Sequence, residues 1–178
     1  MLKQILHPGK EEYPERFQDE INLVFYPELI SGLKESHQST MHFLNSIPED
    51  KLLFSYAEGK WTVKEVWQHV MDTERILSYR ALCYSRKETK ALPGFNENAF
   101  AINSKANTRN WNELIDEYSQ IRSATLSLYK SFDEEMLSQI GFAGVSTRIS
   151  TKAVGFLILG HEIHHAKTIK ERYLNSIK

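Results

Sequence analysis

Apolar residues recur at helical spacing in four separate stretches of the chain, and no stretch alternates long enough to predict a strand. The first stretch follows Pro27, where Leu29, Leu33, Met41 and Leu44 share a face before Pro48. The second has the clearest beginning. Thr62 and Glu65 make a capping box, with Trp61 and Val66 at the positions of a hydrophobic staple. Val63, Val66, Val70, Leu77 and Ala81 then form one face that fades near Arg86. The third carries Trp111, Leu114, Ile115, Tyr118, Ile121, Leu128 and Tyr129 in register. The fourth starts at a cap on Ser150 or Thr151 and runs to about Asn175.

Between these stretches the chain is punctuated. Pro8, Gly9 and Pro14 make residues 1–15 an irregular arm, and Gly141 and Gly144 mark a loop. Glu88 to Arg109 is a long connection with a Pro93-Gly94 turn, anchored by Phe95, Phe100 and Ile102. Ordered connections of this length often wall or cover a site. The pattern predicts an all-α four-helix bundle, with residues 1–178 forming one domain. The long connection between the second and third helices admits parallel neighbours.

Composition narrows the function. A net charge of −1 argues against a nucleic-acid partner and against a polybasic membrane surface. A single cysteine, Cys83, excludes an internal disulfide framework. Met1 to Lys10 has no apolar core of signal-peptide length, and the apolar run Ala153 to Leu159 is far short of the ~20 residues that span a bilayer. The expectation is a cytoplasmic protein.

The histidines supply the candidate chemistry. On a helical wheel Val154, Ile158, His161, His165, Ile169 and Arg172 form one stripe, with His164 to its side. Two inward imidazoles four residues apart can converge on one ion, which would offset their desolvation. Core histidines with separate hydrogen-bond partners are the competing explanation, about equally weighted. His161-Glu162-Ile163-His164-His165 also fits the H-E-x-x-H pattern of zinc proteases. A protease is disfavoured, because no downstream ligand stands at the usual spacing and no strand is predicted to hold a peptide. A third ligand must then come from upstream. His69, at the flank of the second helix's apolar face, is the best candidate, with Asp72 a turn on as a hydrogen-bonding acid or an ordinary solvated one. His37 follows Leu33 by one turn and could also face inward.

These same segments resemble the DinB/YfiT-like superfamily. Lys60-Trp61-Thr62-Val63-Lys64-Glu65-Val66-Trp67-Gln68-His69, followed by Asp72, Glu74 and Arg75, looks like its second-helix signature. Ser150 to Tyr173, including Gly160 to His165, looks like its final-helix signature, and Pro93-Gly94-Phe95 and Glu171-Arg172-Tyr173 resemble one branch. The resemblance covers most of the chain beyond about Leu29. It implies a four-helix bundle whose metal ligands are His69, His161 and His165. It also implies a divalent ion such as nickel or zinc, frequent dimers, and in some relatives transfer or isomerisation with a small thiol. Asn96 departs from the aspartate that relatives often carry in that loop.

The functional expectation is a metal-dependent enzyme that activates a small thiol or water against a small electrophilic substrate, as a transferase or hydrolase. A non-catalytic metal- or ligand-binding bundle is the alternative. Manganese or iron would also accept three imidazoles. Glu162, His164 and Asp72 are candidate helpers, and Arg80 a candidate contact for an anionic tail, ~16 Å along the helix from His69. Cys83, ~21 Å from His69 along the same helix, is better read as a small buried hydrophobe than as a nucleophile. The fourth helix is apolar on a second face, through Phe156, Leu159, Ile163 and Leu174. Its cover is expected from the N-terminal arm or from the partner copy of a homodimer.

Overall fold

A computed structural model describes residues 4–144 and 147–174. Four long helices build the bundle: α2 (Leu29–Asn45), α3 (Val63–Ser85), α5 (Trp111–Lys130) and α7 (Thr151–Thr168). Three short ones decorate it: α1 (Gln18–Asn22), α4 (Glu97–Asn103) and α6 (Glu134–Ser138). A π-helical stretch, Ile169–Leu174, extends α7, and the expected end near Asn175 lies outside the described residues. No helix among the described residues is long and apolar enough to cross a membrane.

The helix starts follow from local chemistry. The Glu28 side chain accepts from the Ile30 and Ser31 amides at the head of α2. Thr62 and Glu65 form the expected capping box of α3, each side chain bonding the other's backbone N–H. Ser150 caps α7 by accepting from the Ala153 amide at 3.0 Å.

α3 packs on α7 and α5, and α2 packs on α5 and α7. The ring order is therefore α2, α5, α3, α7, so α2 and α3 face each other diagonally. The core falls into two apolar clusters. Leu29, Leu33, Leu77, Ala81, Tyr129 and Val154 to Leu159 lie in one. Phe43, Leu44, Val63, Trp67, Val70, Leu114, Tyr118 and Ile169 lie in the other. α2 and α7 run from the first cluster to the second, whereas α3 and α5 run from the second to the first. Neighbours α3 and α5 are thus parallel, as the long connection between them permits. That connection is not featureless: it contains α4, capped by the Asn96 side chain on the Ala99 amide at 3.0 Å.

One expectation needs correction. The stretch around Gly141 and Gly144 is an antiparallel pair, β1 (Ile140–Ala143) with β2 (Thr147–Ser150), in register Ile140 to Ser150 and Phe142 to Arg148. Strands of four residues are too short for a period of two to stand out. The N-terminal arm is irregular, as its prolines suggest, but it is tied to the bundle. Leu6 bridges to Glu28, Glu12 pairs with Lys152 and bonds Ser150, and Ile5 and Tyr13 enter the first core cluster.

The arm and α1, which follows it, together lie on the second apolar face of α7. α1 lies against that helix, Phe156 is fully buried with its ring 4.3 Å from His7, and every residue from Ala153 to Glu162 is buried. The expected arm thus supplies part of this cover through His7, and α1, beyond the arm, supplies the rest.

Gly160 shows how close this contact is. A Cβ there would fall inside van der Waals contact of the Glu20 backbone carbonyl oxygen. Gly160→Ala is expected to push α1 off α7, to cost about 1–3 kcal/mol in urea unfolding, and to expose the arm to limited proteolysis. Wild-type stability and protease resistance would show that α1 is not seated on Gly160.

Candidate metal centre

His69 projects from α3, and His161 and His165 project from the neighbouring α7. Their Nε2 atoms converge: His161 Nε2 lies 3.1 Å from both His69 Nε2 and His165 Nε2. One ligand nitrogen from each ring falls within 4.8 Å of the other two. His69 and His161 are 4% and 9% exposed, and His165 is half-buried. The Trp61 ring sits 4.9 Å from that of His69 and walls one side. The π turn after α7 ties Tyr173 Oη to the Trp61 carbonyl at 2.9 Å, which holds this wall in place.

The donor set fits a divalent ion. Burial pushes His69 down to about 4. Burial first, then repulsion from His69 and His164, pushes His165 down to about 3. His161 falls well below the ordinary range through burial and then through the other three imidazoles. All three rings are therefore neutral at physiological pH and present lone pairs. A neutral imidazole has a single N–H, so three facing Nε2 atoms cannot all satisfy one another. A cation at their meeting point satisfies all three. Nitrogens about 2.0–2.1 Å from one ion and 3.1 Å apart subtend an angle of about 100°, within the range metal sites adopt. Thr73 Oγ1 stands 3.5 Å from His69 Nδ1, on the side that selects the tautomer leaving Nε2 free.

The other expected residues fall elsewhere. Glu162 does not join the triad. Its carboxylate turns into the bundle and accepts from Tyr118 Oη at 2.7 Å, from Thr40 Oγ1 at 2.8 Å, and from Ser36 Oγ and Arg122 Nη2. Adjacent helix positions diverge by ~100°, so a side chain next to His161 leaves the metal face. His164 is exposed, its ring 5.0 Å from that of His165. Asp72 accepts from Gln68 Nε2 at 2.9 Å and lines a surface cavity of about 530 Å³ with Arg75, Phe100 and Arg109, while His69 faces Thr73. Arg80 donates to the Pro93 carbonyl at 2.9 Å and so anchors the long connection. His37 is half-buried and bonds Ser119 Oγ at 3.1 Å, and Cys83 is half-buried against the first core cluster.

The partners of Glu162 were not among the expected site residues. Arg122 is completely buried and forks onto Glu74, with Nε to Oε1 at 2.9 Å and Nη2 to Oε2 at 2.8 Å. A signal existed: Glu74 lies four residues after Val70, and Arg122 four after Tyr118, each continuing an apolar stripe.

Comparison with known proteins agrees with this picture. The family model described as the DinB superfamily matches residues 33–169. "Putative metal-dependent hydrolase OB0413" of Oceanobacillus iheyensis is 25% identical over 127 residues, covering 71% of this chain and 73% of that protein. Among solved structures, YfiT from Bacillus subtilis superposes with a TM-score of 0.69 at 16% identity, covering 94% of this chain and 93% of that one. It is described as a probable metal-dependent hydrolase with an unusual four-helix bundle topology. A mycothiol-dependent maleylpyruvate isomerase superposes with a TM-score of 0.64 at 13% identity, over 85% of this chain and 59% of its own. At these identities the two structures establish the fold.

The depressed histidines set a pH dependence for the metal-free protein. In the unfolded chain they titrate near about 6.5. Their neutral folded form stabilises fully above that pH, and the stabilisation is lost as pH falls toward about 4 for His69 and about 3 for His165. Urea unfolding of metal-free protein between pH 6.5 and 4 should show stability falling by up to about 1.4 kcal/mol per pH unit for each such histidine. A His69→Asn variant should show a shallower slope, and equal slopes would mean that burial does not hold His69 neutral.

Proposed function

We propose that this chain, which belongs to the DinB superfamily, holds a divalent metal ion on His69, His161 and His165 and uses it to hydrolyse a small-molecule substrate. The convergence of three buried, neutral Nε2 atoms carries the proposal. Nickel or zinc is the first expectation, and manganese or iron would also accept the donor set. The hydrolase names of its relatives favour this reaction class.

An ion with three neutral protein ligands keeps an open position and its full charge, and so makes an incoming water or thiol acidic near neutral pH. The chain's own residues contribute the rest. Trp61 offers an aromatic wall beside His69 that excludes bulk water from one side of the centre. His164 is exposed next to His165, with its ring open to solvent. Glu162 is engaged in the core and leaves the general-base role open to His164.

A second reading keeps the same centre and replaces water by a small thiol cosubstrate. Its support is the likeness to a structure described as a mycothiol-dependent isomerase. The nucleophile would have to come from outside, since Cys83 lies about 21 Å along α3 from His69.

Protein purified without affinity tag or chelator should contain about one divalent ion per chain. A His69→Ala variant should lose the ion and keep its helical circular dichroism. The loaded protein should hydrolyse members of a panel of small esters, amides and phosphoesters, with activity lost in the variant. Turnover only when a low-molecular-weight thiol is added would select the second reading. A wild type that neither contains metal nor takes up zinc, nickel or manganese would end the metalloenzyme reading.

A further inference from the structure

We propose that Arg122 is a positioning residue for the metal centre: its guanidinium fixes the relative register of the two helices that carry the ligands. The proposal rests on the three-histidine reading above. Arg122 belongs to α5, which supplies no ligand, and its side chain is completely buried. It nevertheless holds both ligand-bearing helices. Through Nε and Nη2 it grips Glu74 of α3 at 2.9 and 2.8 Å, and through Nη2 it also holds Glu162 of α7. Glu74 is five residues from His69 on α3, and Glu162 is next to His161 on α7.

Each carboxylate is thus a rigid extension of the backbone that presents a ligand. A slip of α7 against α3 by one turn, ~5.4 Å, or a rotation of either helix would have to break a buried charge-assisted bond. Apolar packing on either side of this layer is non-directional and does not resist small slides in the same way. Metal ligation is unforgiving on this scale, with distances held to about ±0.2 Å. The fork geometry is essential, because a lysine at 122 keeps the charge but cannot bond both carboxylates in fixed directions. Tyr118, Thr40 and Ser36 complete the clamp by fixing the Glu162 carboxylate from α5 and α2.

The test uses zinc affinity and the visible absorption spectrum of the cobalt(II)-loaded protein, which reports ligand geometry. Arg122→Lys, at a temperature where circular dichroism shows it folded, should bind zinc about 10- to 100-fold more weakly than wild type, as for other residues that orient ligands. Its cobalt bands should shift. Should that variant not fold, Glu162→Gln is expected to give the same two changes. Tyr129→Phe removes a buried bond from the same helix to the Thr151 carbonyl and should leave affinity and spectrum as in wild type. A folded Arg122→Lys or Glu162→Gln protein with wild-type affinity and spectrum would overturn the proposal. Equal weakening by Tyr129→Phe would also overturn it, as general destabilisation. A wild type that takes up neither zinc nor cobalt would instead remove the metal reading itself, and the proposal with it.

Discussion

The bundle is organised around one buried ionic contact, Glu74–Arg122–Glu162, which engages residues of all four long helices. Ser36 and Thr40 reach it from α2, Glu74 from α3, Tyr118 and Arg122 from α5, and Glu162 from α7. Burial alone would weaken the guanidinium's hold on its proton, but the two carboxylates keep it charged and raise its pKa well above the ordinary value. Breaking such a pair from one side costs about 3–5 kcal/mol, a large part of the 5–15 kcal/mol that holds a typical domain together. The Lys87–Glu135 pair is well exposed and matters far less.

The position of this layer explains the topology around it. α5 and α7 are diagonal in the ring, so only long side chains can join them through the centre, and arginine and glutamate do so. The layer also divides the apolar core into its two clusters. A uniformly apolar core would let parallel neighbours such as α3 and α5 slide, whereas the directional bonds of Arg122 to Glu74 and Glu162 favour one register. α7 bears the most demands: it meets the ionic layer through Glu162, α3 through its histidines, and α1 across Gly160. That is why it is buried almost all round and has no clear amphipathic pattern.

Much of this was legible in the chain itself, for identifiable reasons. The capping box at Thr62 and the cap at Ser150, one of the two candidates there, depend on neighbours three residues away, and both appear. His161 and His165 could be paired because helical geometry fixes residues four apart, and His69 joins them in space. The β1–β2 pair was hidden by its length, and the seating of α1 on α7 by its distance in sequence. The fate of Glu162 was hidden for a different reason. Its partners at positions 36, 40, 118 and 122 lie on two other helices, and only the ring order of the bundle brings them together.

Glu162 also shows why a motif needs its surroundings. The sequence from His161 to His165 fits H-E-x-x-H, in which a glutamate beside the metal acts as base. Here the imidazole of His161 points to α3, while the carboxylate one position later, ~100° around the helix, points between α2 and α5. A protease helix must present its glutamate to solvent and substrate, but this one is 1% exposed and surrounded by four donors. The same five residues therefore divide their work in another way. The histidines form the centre, and the glutamate anchors the helix that carries two of them.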